Sequence, residues 1–219
     1  MLNYLFTNPL LFVIYIVALL VAIDIHEFSH ALVADRLGDP TPRLQGRLSL
    51  NPFVHLDLLG LAFLLLVGFG WGKPVQFDPY NLKDPRKEAA LISIAGPISN
   101  FLLAFILSLL LRSFILLHLS VLITIGMILF VPLITLNVIL GVFNLLPINP
   151  LDGFKIVGGL LSEKRSKEWY GLERYGIIFL LMLIFPFGNT SMLDILIRPA
   201  FTFLLNLLLP GSFGASGTI

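Results

Sequence analysis

The sequence predicts an all-α protein that crosses the membrane several times and carries a small β-strand or hairpin at the membrane edge. Of its 219 residues, 57% are hydrophobic and only 12% are charged, whereas an average soluble domain carries about 25% charged residues. The mean hydropathy is +0.95. About five or six apolar segments follow one another along the chain, and a spanning helix needs about 20 mostly apolar residues.

The composition also excludes several classes of function. So few charges cannot coat a water-soluble globule of this size, which argues against a soluble enzyme and against a disordered chain. The net charge is only +1, so we expect no nucleic-acid partner. The chain has no cysteine, which excludes disulfides and thiolate metal sites.

The first helix is predicted to begin at Asn8-Pro9 and to end before Gly38 and Pro40. Asparagine followed by proline is typical of a helix start, and glycine followed by proline is typical of a helix end. Residues 10–23 carry no charge. Polar side chains occur in the second half of this helix, at residues 24–30. The helix is therefore expected to span the membrane and also to carry candidate functional residues.

The middle of the chain is predicted to hold a strand element, a re-entrant segment and two spans. Residues 41–50 alternate in part between polar and apolar, which favours one or two short strands at the membrane edge. The apolar run 58–71 is too short for a typical span, so we expect it to enter and leave on one side. Segments 89–111 and 120–146 are uncharged and long enough to cross.

Two further apolar runs, 175–187 and 193–210, follow near the C-terminus, and the sequence leaves open whether either is a full span. We find no internal repeat and no second domain. The chain is therefore expected to form one domain over 1–219, with a functional core of about 9–160 and C-terminal helices at about 175–210.

The distribution of basic residues predicts the orientation in the membrane. If 58–71 is re-entrant, loops 35–57, 72–88 and 152–174 share one side and contain 12 of the 14 lysines and arginines. Basic loops favour the cytoplasmic side. We therefore expect a cell-membrane protein with these loops in the cytoplasm and the N-terminus outside.

The motif His26-Glu27-Phe28-Ser29-His30 has the pattern H-E-x-x-H. Helix positions i and i+4 share a face, so both imidazoles can bind one Zn²⁺ while Glu27 reaches a water molecule. The alternative is a chance match whose histidines are ordinary core groups. Ionisable groups facing lipid at mid-membrane cost at least ~2.5 kcal/mol each, which favours the functional interpretation.

The depth of this motif follows from helix geometry. Leu10 to His26 spans about 24 Å of helix, and the hydrocarbon core is about 30 Å thick. His26 should therefore lie inside the membrane, nearer the cytoplasmic face.

Asp152 is the best candidate for the third protein ligand that a catalytic zinc site requires. It is the only acidic residue between Glu88 and Glu163, and it follows a predicted span that ends on the cytoplasmic side. It should therefore reach the same depth as the two histidines. The alternative is that Asp152-Gly153 forms a simple turn.

The H-E-x-x-H motif on the first membrane helix, followed about 120 residues later by N-x-x-P and L-D-G, resembles the site-2 protease family of intramembrane zinc metalloproteases. Residues 46–52, 71–75 and 96–100 are similar to the compact members, which lack PDZ and CBS domains. The family pattern has a second proline where this chain has Asn149.

The resemblance implies that His26, His30 and Asp152 bind zinc and that Glu27 is the catalytic base. It also implies cleavage of transmembrane protein substrates, within the lipid bilayer, near the cytoplasmic side.

Two further residues are candidates for catalysis. Asn144 could donate a hydrogen bond to the oxyanion, or could simply bond to a neighbouring helix. His55 could stabilise the oxyanion or cap the zinc, or could be an interfacial histidine beside Asp57. Asp24 faces away from His26 and is expected to make a structural hydrogen bond. The 41–50 edge could pair with an unwound substrate segment, or could serve only as a lid.

Two other functions stay open at this stage. A metal or ion transporter would use the same His, Asp and Glu side chains to bind a passing ion. A non-catalytic scaffold would close the zinc site with a fourth protein ligand. Replacement of Glu27 distinguishes them, because only a protease loses peptide cleavage while it keeps its metal. The oligomeric state cannot be read from the sequence.

Overall fold

The computed structural model describes residues 2–67, 70–187 and 190–211, and it is mostly helical. In chain order the helices are α1 (Leu2–Thr7), α2 (Pro9–Leu37), α3 (Thr41–Leu44), α4 (Pro52–His55), α5 (Leu58–Val67), α6 (Pro85–Leu116), α7 (Ser120–Asn144), α8 (Asp152–Leu160), α9 (Glu163–Tyr170), α10 (Gly176–Ile184) and α11 (Met192–Leu208). The 3₁₀ turns are Pro79–Asn81 and Glu173–Tyr175, and the strands are β1 (Pro186–Phe187) and β2 (Thr190–Ser191).

Within the described residues, α2, α6 and α7 are the three helices long and apolar enough to span a membrane. The helix α6 packs against both α2 and α7. A glycine allows one of these close approaches, because a Cβ on Gly141 of α7 would lie 2.8 Å from the ring of Phe101 on α6. The chain is therefore a multi-pass membrane protein with α6 at its centre.

The predicted limits of the first span are confirmed. The side chain of Asn8 accepts a hydrogen bond from the amide of Leu11 at 3.1 Å, and Pro9 occupies the first turn of α2. Gly38 ends α2 with a φ of 108°, a left-handed conformation that glycine adopts without steric cost.

The prediction of strands over 41–50 is wrong. Thr41–Leu44 form α3, and no part of this segment is a strand. Asp39 accepts hydrogen bonds from the amide and the hydroxyl of Thr41, and Pro42 stands in the first turn, so a short helix forms where partial alternation favoured an extended chain. The proposed edge for substrate pairing is consequently absent from this segment.

The small strand element lies elsewhere. Strands β1 and β2 pair antiparallel, with Pro186 opposite Ser191, between the two C-terminal apolar segments. An all-α membrane protein with a small strand element is thus confirmed, although the position of that element differs from the prediction.

The segment 58–71 turns back on itself, as predicted for a re-entrant element. Its helix α5 has 10 residues and is about 15 Å long, too short to span. Beyond it, the amide of Lys73 donates to the carbonyl of His55 at 2.8 Å, and the rings of Phe63 and Trp71 lie 5.3 Å apart. Both ends of the segment therefore lie side by side; Gly68 and Phe69 fall outside the described residues.

The C-terminal apolar runs form two helices of different length. The nine residues of α10 cover about 13 Å and cannot cross a membrane. The 17 residues of α11 pack against α7, and the carbonyl of Leu207 accepts a hydrogen bond from Arg112 at the far end of α6. The end of α11 is thus fixed at the side of the bundle opposite α8.

Candidate metal centre

The structure brings His26, His30 and Asp152 together at the contact between α2 and α8. Oδ2 of Asp152 lies 3.0 Å from Nε2 of His26 and 3.2 Å from Nε2 of His30. The three ligand atoms all lie within 4.8 Å of one another. Both histidines are buried and Asp152 is half-buried, so the cluster faces the interior of the bundle.

Asp152 reaches the histidines because the chain turns sharply after α7. The turn is packed so closely that a Cβ on Gly153 would lie 2.3 Å from the carbonyl oxygens of Leu145 and Leu146. Only glycine fits at this position, and α8 begins at Asp152 and packs along α6. Asp152 and Gly153 are thus the first two residues of α8 and do not form the simple turn that was the alternative, and Asp152 lies beside both histidines.

Hydrogen bonds from the two imidazole rings to acceptor oxygens on α6 orient both rings. Nδ1 of His26 lies 2.6 Å from Oδ1 of Asn100, and Nδ1 of His30 lies 2.7 Å from the carbonyl oxygen of Ile92. Both partner atoms are acceptors, so each imidazole must carry its proton on Nδ1. The lone pair of each Nε2 is then free and points toward Asp152, which is the usual arrangement of metal-binding histidines.

The chemistry of these donors fits a zinc ion. Two imidazole lone pairs and a carboxylate oxygen converge, and Oδ2 of Asp152 is buried and accepts no hydrogen bond from any residue that the structure describes. Such groups repel one another unless a cation lies among them. Nitrogen and oxygen donors at about 2.0–2.2 Å in a tetrahedral arrangement are typical of zinc. Within the described residues the cluster has three such side chains, which leaves a fourth position for water or substrate.

The candidate base Glu27 lies beside this cluster and contacts a distant segment. Its Oε2 accepts a hydrogen bond from the backbone amide of Val75 at 2.9 Å. Val75 belongs to the irregular stretch that follows the re-entrant segment. This stretch therefore packs against the candidate catalytic carboxylate.

Asn144 and His55 are not in the ligand cluster. Asn144 is the last residue of α7, and its side-chain amide donates to the carbonyl of Leu140 at 3.0 Å. His55 is only 1% exposed. Its Nε2 donates to the carbonyl of Ser49 at 2.9 Å and lies 3.6 Å from Oδ1 of Asp24.

The buried His55 therefore faces Asp24. Asp57 caps α5 instead, since its Oδ1 accepts from the amides of Leu59 and Gly60.

Several functional contacts were not predicted from the sequence. The oxygen atoms that accept hydrogen bonds from His26 and His30 lie on α6, and the residue that contacts Glu27 is an apolar valine. One signal was available, because Asn100 and Asn137 are polar residues inside apolar spans, and such residues usually face the bundle interior.

Comparisons with known proteins agree on the family to which the chain is similar. A family model described as Peptidase family M50 matches residues 14–119 and 112–184. YwhC of Bacillus subtilis is 41% identical over 179 residues, which cover 80% of this chain and 81% of that protein. Rip2 of Mycobacterium tuberculosis (strain H37Rv) is 32% identical over 179 residues, which cover 78% of this chain and 66% of that protein.

A third relative is MJ0392 of Methanocaldococcus jannaschii, which is 27% identical over 157 residues that cover 72% of this chain and 37% of that protein. The names of all three contain the words zinc metalloprotease, qualified in the first two as an inferred activity. None of these names describes a metal or ion transporter. No solved structure matches the chain significantly.

Proposed function

Because the chain belongs to peptidase family M50, the site-2 protease family, and is an intramembrane zinc metalloprotease, we propose that His26, His30 and Asp152 hold its zinc ion. The observation that carries this proposal is the convergence of three ligand atoms within 4.8 Å of one another. It is supported by the two Nδ1 hydrogen bonds, which leave both Nε2 lone pairs available. Membrane proteins are the substrates, and lipid surrounds the enzyme.

Glu27 acts as the catalytic base in this proposal. It follows His26 directly on α2, so its carboxylate lies within reach of the cluster, and the Val75 amide holds Oε2 in place. Zinc, when bound, polarises the scissile carbonyl and lowers the pKa of a water molecule. Glu27 accepts the proton of the attacking water and delivers it to the leaving amine nitrogen, which completes hydrolysis of the peptide bond.

Asn144 and His55 are proposed to act on the substrate carbonyl. Asn144 ends α7 just before the turn that leads to Asp152, and its amide can exchange the bond to Leu140 for an oxyanion. His55 is buried, and its Nδ1 has no hydrogen-bond partner among the described residues. While Nε2 donates to Ser49, Nδ1 of the neutral ring offers a lone pair to the metal in a resting state, and it donates to an oxyanion only when the ring carries a second proton.

We propose that the active site opens toward the cytoplasmic side of the cell membrane. Support comes from the 12 basic residues in loops 35–57, 72–88 and 152–174. The chain has no cysteine, so single cysteines can report sidedness without background. In intact cells a membrane-impermeant maleimide should label Leu117→Cys, between α6 and α7, and should spare Lys164→Cys. The reverse pattern would contradict this orientation.

The site assignment is tested with purified protein in lipid. Zinc per chain is measured together with cleavage of a single-span membrane peptide for wild type, Glu27→Gln and Asp152→Asn, with the exposed Glu168→Gln as control. Glu27→Gln should keep zinc and lose cleavage, whereas Asp152→Asn should lose zinc. Cleavage by Glu27→Gln, or wild-type zinc affinity in Asp152→Asn, would overturn the assignment.

A further inference from the structure

Two asparagines of the central helices lie behind the metal centre. Asn100 of α6 and Asn137 of α7 are both 0% exposed. The side-chain amide of Asn100 contacts three groups: His26 Nδ1 at 2.6 Å, the carbonyl of Ala22 at 3.0 Å and Oδ1 of Asn137 at 2.8 Å. The hydrogen bonds therefore form a continuous line from α7 through α6 to a metal-binding histidine of α2.

The orientation of the Asn100 amide decides which tautomer His26 adopts. An asparagine side chain can rotate by about 180° and exchange its oxygen and nitrogen with little change in shape. With oxygen toward His26, the imidazole must donate from Nδ1, and its Nε2 lone pair is free. With nitrogen toward His26, the imidazole must accept at Nδ1 and carry its proton on Nε2. That proton would occupy the position that a metal needs.

Asn137 selects the first of these orientations. Its own Nδ2 donates to the carbonyl of Leu133 at 2.8 Å, so its Oδ1 faces Asn100 as an acceptor. The Ala22 carbonyl is a second acceptor on the same side. A rotated Asn100 would place its oxygen against two acceptor oxygens in a buried, apolar environment, where each unpaired polar group costs about 1–3 kcal/mol.

We propose that Asn137 is a positioning residue of the metal centre, which acts through Asn100 to hold His26 with its Nε2 lone pair directed at the metal. Asn137 does not touch the ligand atoms and belongs to a different helix from all three of them. The helix α7 is thereby coupled to metal affinity. This inference rests on the proposed role of His26 as a zinc ligand.

The main test measures zinc affinity by chelator competition on the full-length protein in lipid. Asn137→Leu keeps the same number and branching of side-chain heavy atoms but can neither accept nor donate a hydrogen bond. We expect its zinc affinity to fall about tenfold to a hundredfold, the usual cost of losing an outer hydrogen-bond partner. Val138→Ala, also fully buried on α7, is the matched control: it lowers thermal stability and should change zinc affinity less than about twofold.

A conservative replacement and a double variant separate positioning from packing. Asn137→Asp, as a neutral acid, can still accept from Asn100 and donate to Leu133, so it should restore affinity to within about threefold. In Asn100→Asp the carboxylate presents an oxygen to His26 in either orientation, so adding Asn137→Leu should change affinity less than about twofold. The absorption spectrum of the Co²⁺-substituted protein should change in the single variant Asn137→Leu. The spectrum of Val138→Ala should keep its wild-type form.

The inference fails if Asn137→Leu binds zinc as wild type does, or if it weakens zinc binding equally in the wild-type and Asn100→Asp backgrounds. Wild-type zinc affinity in both His26→Ala and Asp152→Asn would instead refute the ligand assignment itself. These outcomes differ, so failure of the positioning role is distinguishable from failure of the proposed metal site.

Discussion

Gly96 of α6 packs directly against the imidazole ring of His30. A Cβ at position 96 would lie 2.5 Å from Nε2 of His30 and 2.6 Å from Nε2 of His26. Cβ atoms in proteins essentially never lie within 3.0 Å of another group in this way, so a side chain at this position would force the rings to move. The absence of a side chain at position 96 therefore allows α6 to approach α2 closely enough for its polar groups to bond the two histidines.

We expect Gly96→Ala to lose zinc, because the added methyl group would occupy the space between the two Nε2 atoms. Zinc affinity should fall at least about tenfold, as for other perturbations of metal-ligand geometry, and peptide cleavage should fall with it. Metal analysis and chelator competition measure the effect. Gly171→Ala, at an exposed position after α9, is the control and should retain zinc. A Gly96→Ala protein with full zinc and full activity would contradict this packing.

Removal of the Val75 amide should lower catalysis while leaving the metal in place. Val75→Pro cannot donate to Glu27, so the carboxylate loses a charge-assisted hydrogen bond. We expect kcat to fall about tenfold, with KM and zinc content nearly unchanged. Gln76→Pro is the matched control, since it alters the same stretch without removing this donor. An equal fall in kcat in both variants would mean that the backbone conformation around Val75 matters and that its hydrogen bond to Glu27 does not.

The hydrogen bonds of Asp39 should make stability depend on pH. Its carboxylate is fully buried and accepts from Thr41, Asp78 and Asn81. Burial acts to raise the pKa of Asp39, and these hydrogen bonds together outweigh it, so the pKa lies below the ordinary 3.8. A depressed folded-state pKa stabilises the fold above pH 3.8, and this contribution is lost as the pH falls through the folded-state value.

Asp39→Ala should therefore destabilise the protein at pH 7 by at least about 2 kcal/mol. Thermal unfolding from pH 7 to pH 3 measures the effect. The difference in Tm between wild type and Asp39→Ala should shrink as the pH falls below 4. Glu168→Ala, which removes an exposed carboxylate, should unfold like wild type across the range. A difference in Tm that stays constant at all pH values would show that Asp39 contributes through packing and not through its charge.

Substrate sequence should control the cleavage rate. In a helix each backbone carbonyl is bonded to the amide four residues later, so the segment must unwind before a base and a nucleophile reach it. Membrane peptides with glycine or proline near the cut should be cleaved at least about tenfold faster than a poly-leucine span. Cleavage assays on matched peptides of equal length test this, and equal rates would exclude unwinding as a limiting step.

Local signals explain which parts of the fold were predictable. Asn8 and Gly38 act within one turn of their own helix, so the limits of α2 follow from neighbouring residues. The histidine pair follows from the four-residue repeat of a helix face. Asp152 was a candidate because it is an isolated acid at a matching depth, and the structure brings it to within 3.2 Å of both histidines.

Long-range contacts explain the errors. The fold of 41–50 depends on Asp39, whose carboxylate accepts hydrogen bonds from the amides of Thr41 and Asp78. The polar and apolar pattern of residues 41–50 alone gives no indication of the contact with Asp78. The oxygen atoms that orient His26 and His30 belong to Asn100 and Ile92, which only helix packing brings near. Backbone donors such as the Val75 amide cannot be recognised from residue type, because every residue except proline has a backbone N–H.

The wide separation of Asp152 from the two histidines along the chain has a consequence for biosynthesis. While the ribosome is still completing α7, the nascent chain already holds both histidines and α6, yet it lacks Asp152. Two imidazoles alone supply fewer than the three protein ligands of a catalytic zinc site. With Asp152 as the third ligand, as proposed, the metal site becomes complete only after the turn beyond α7 has been synthesised.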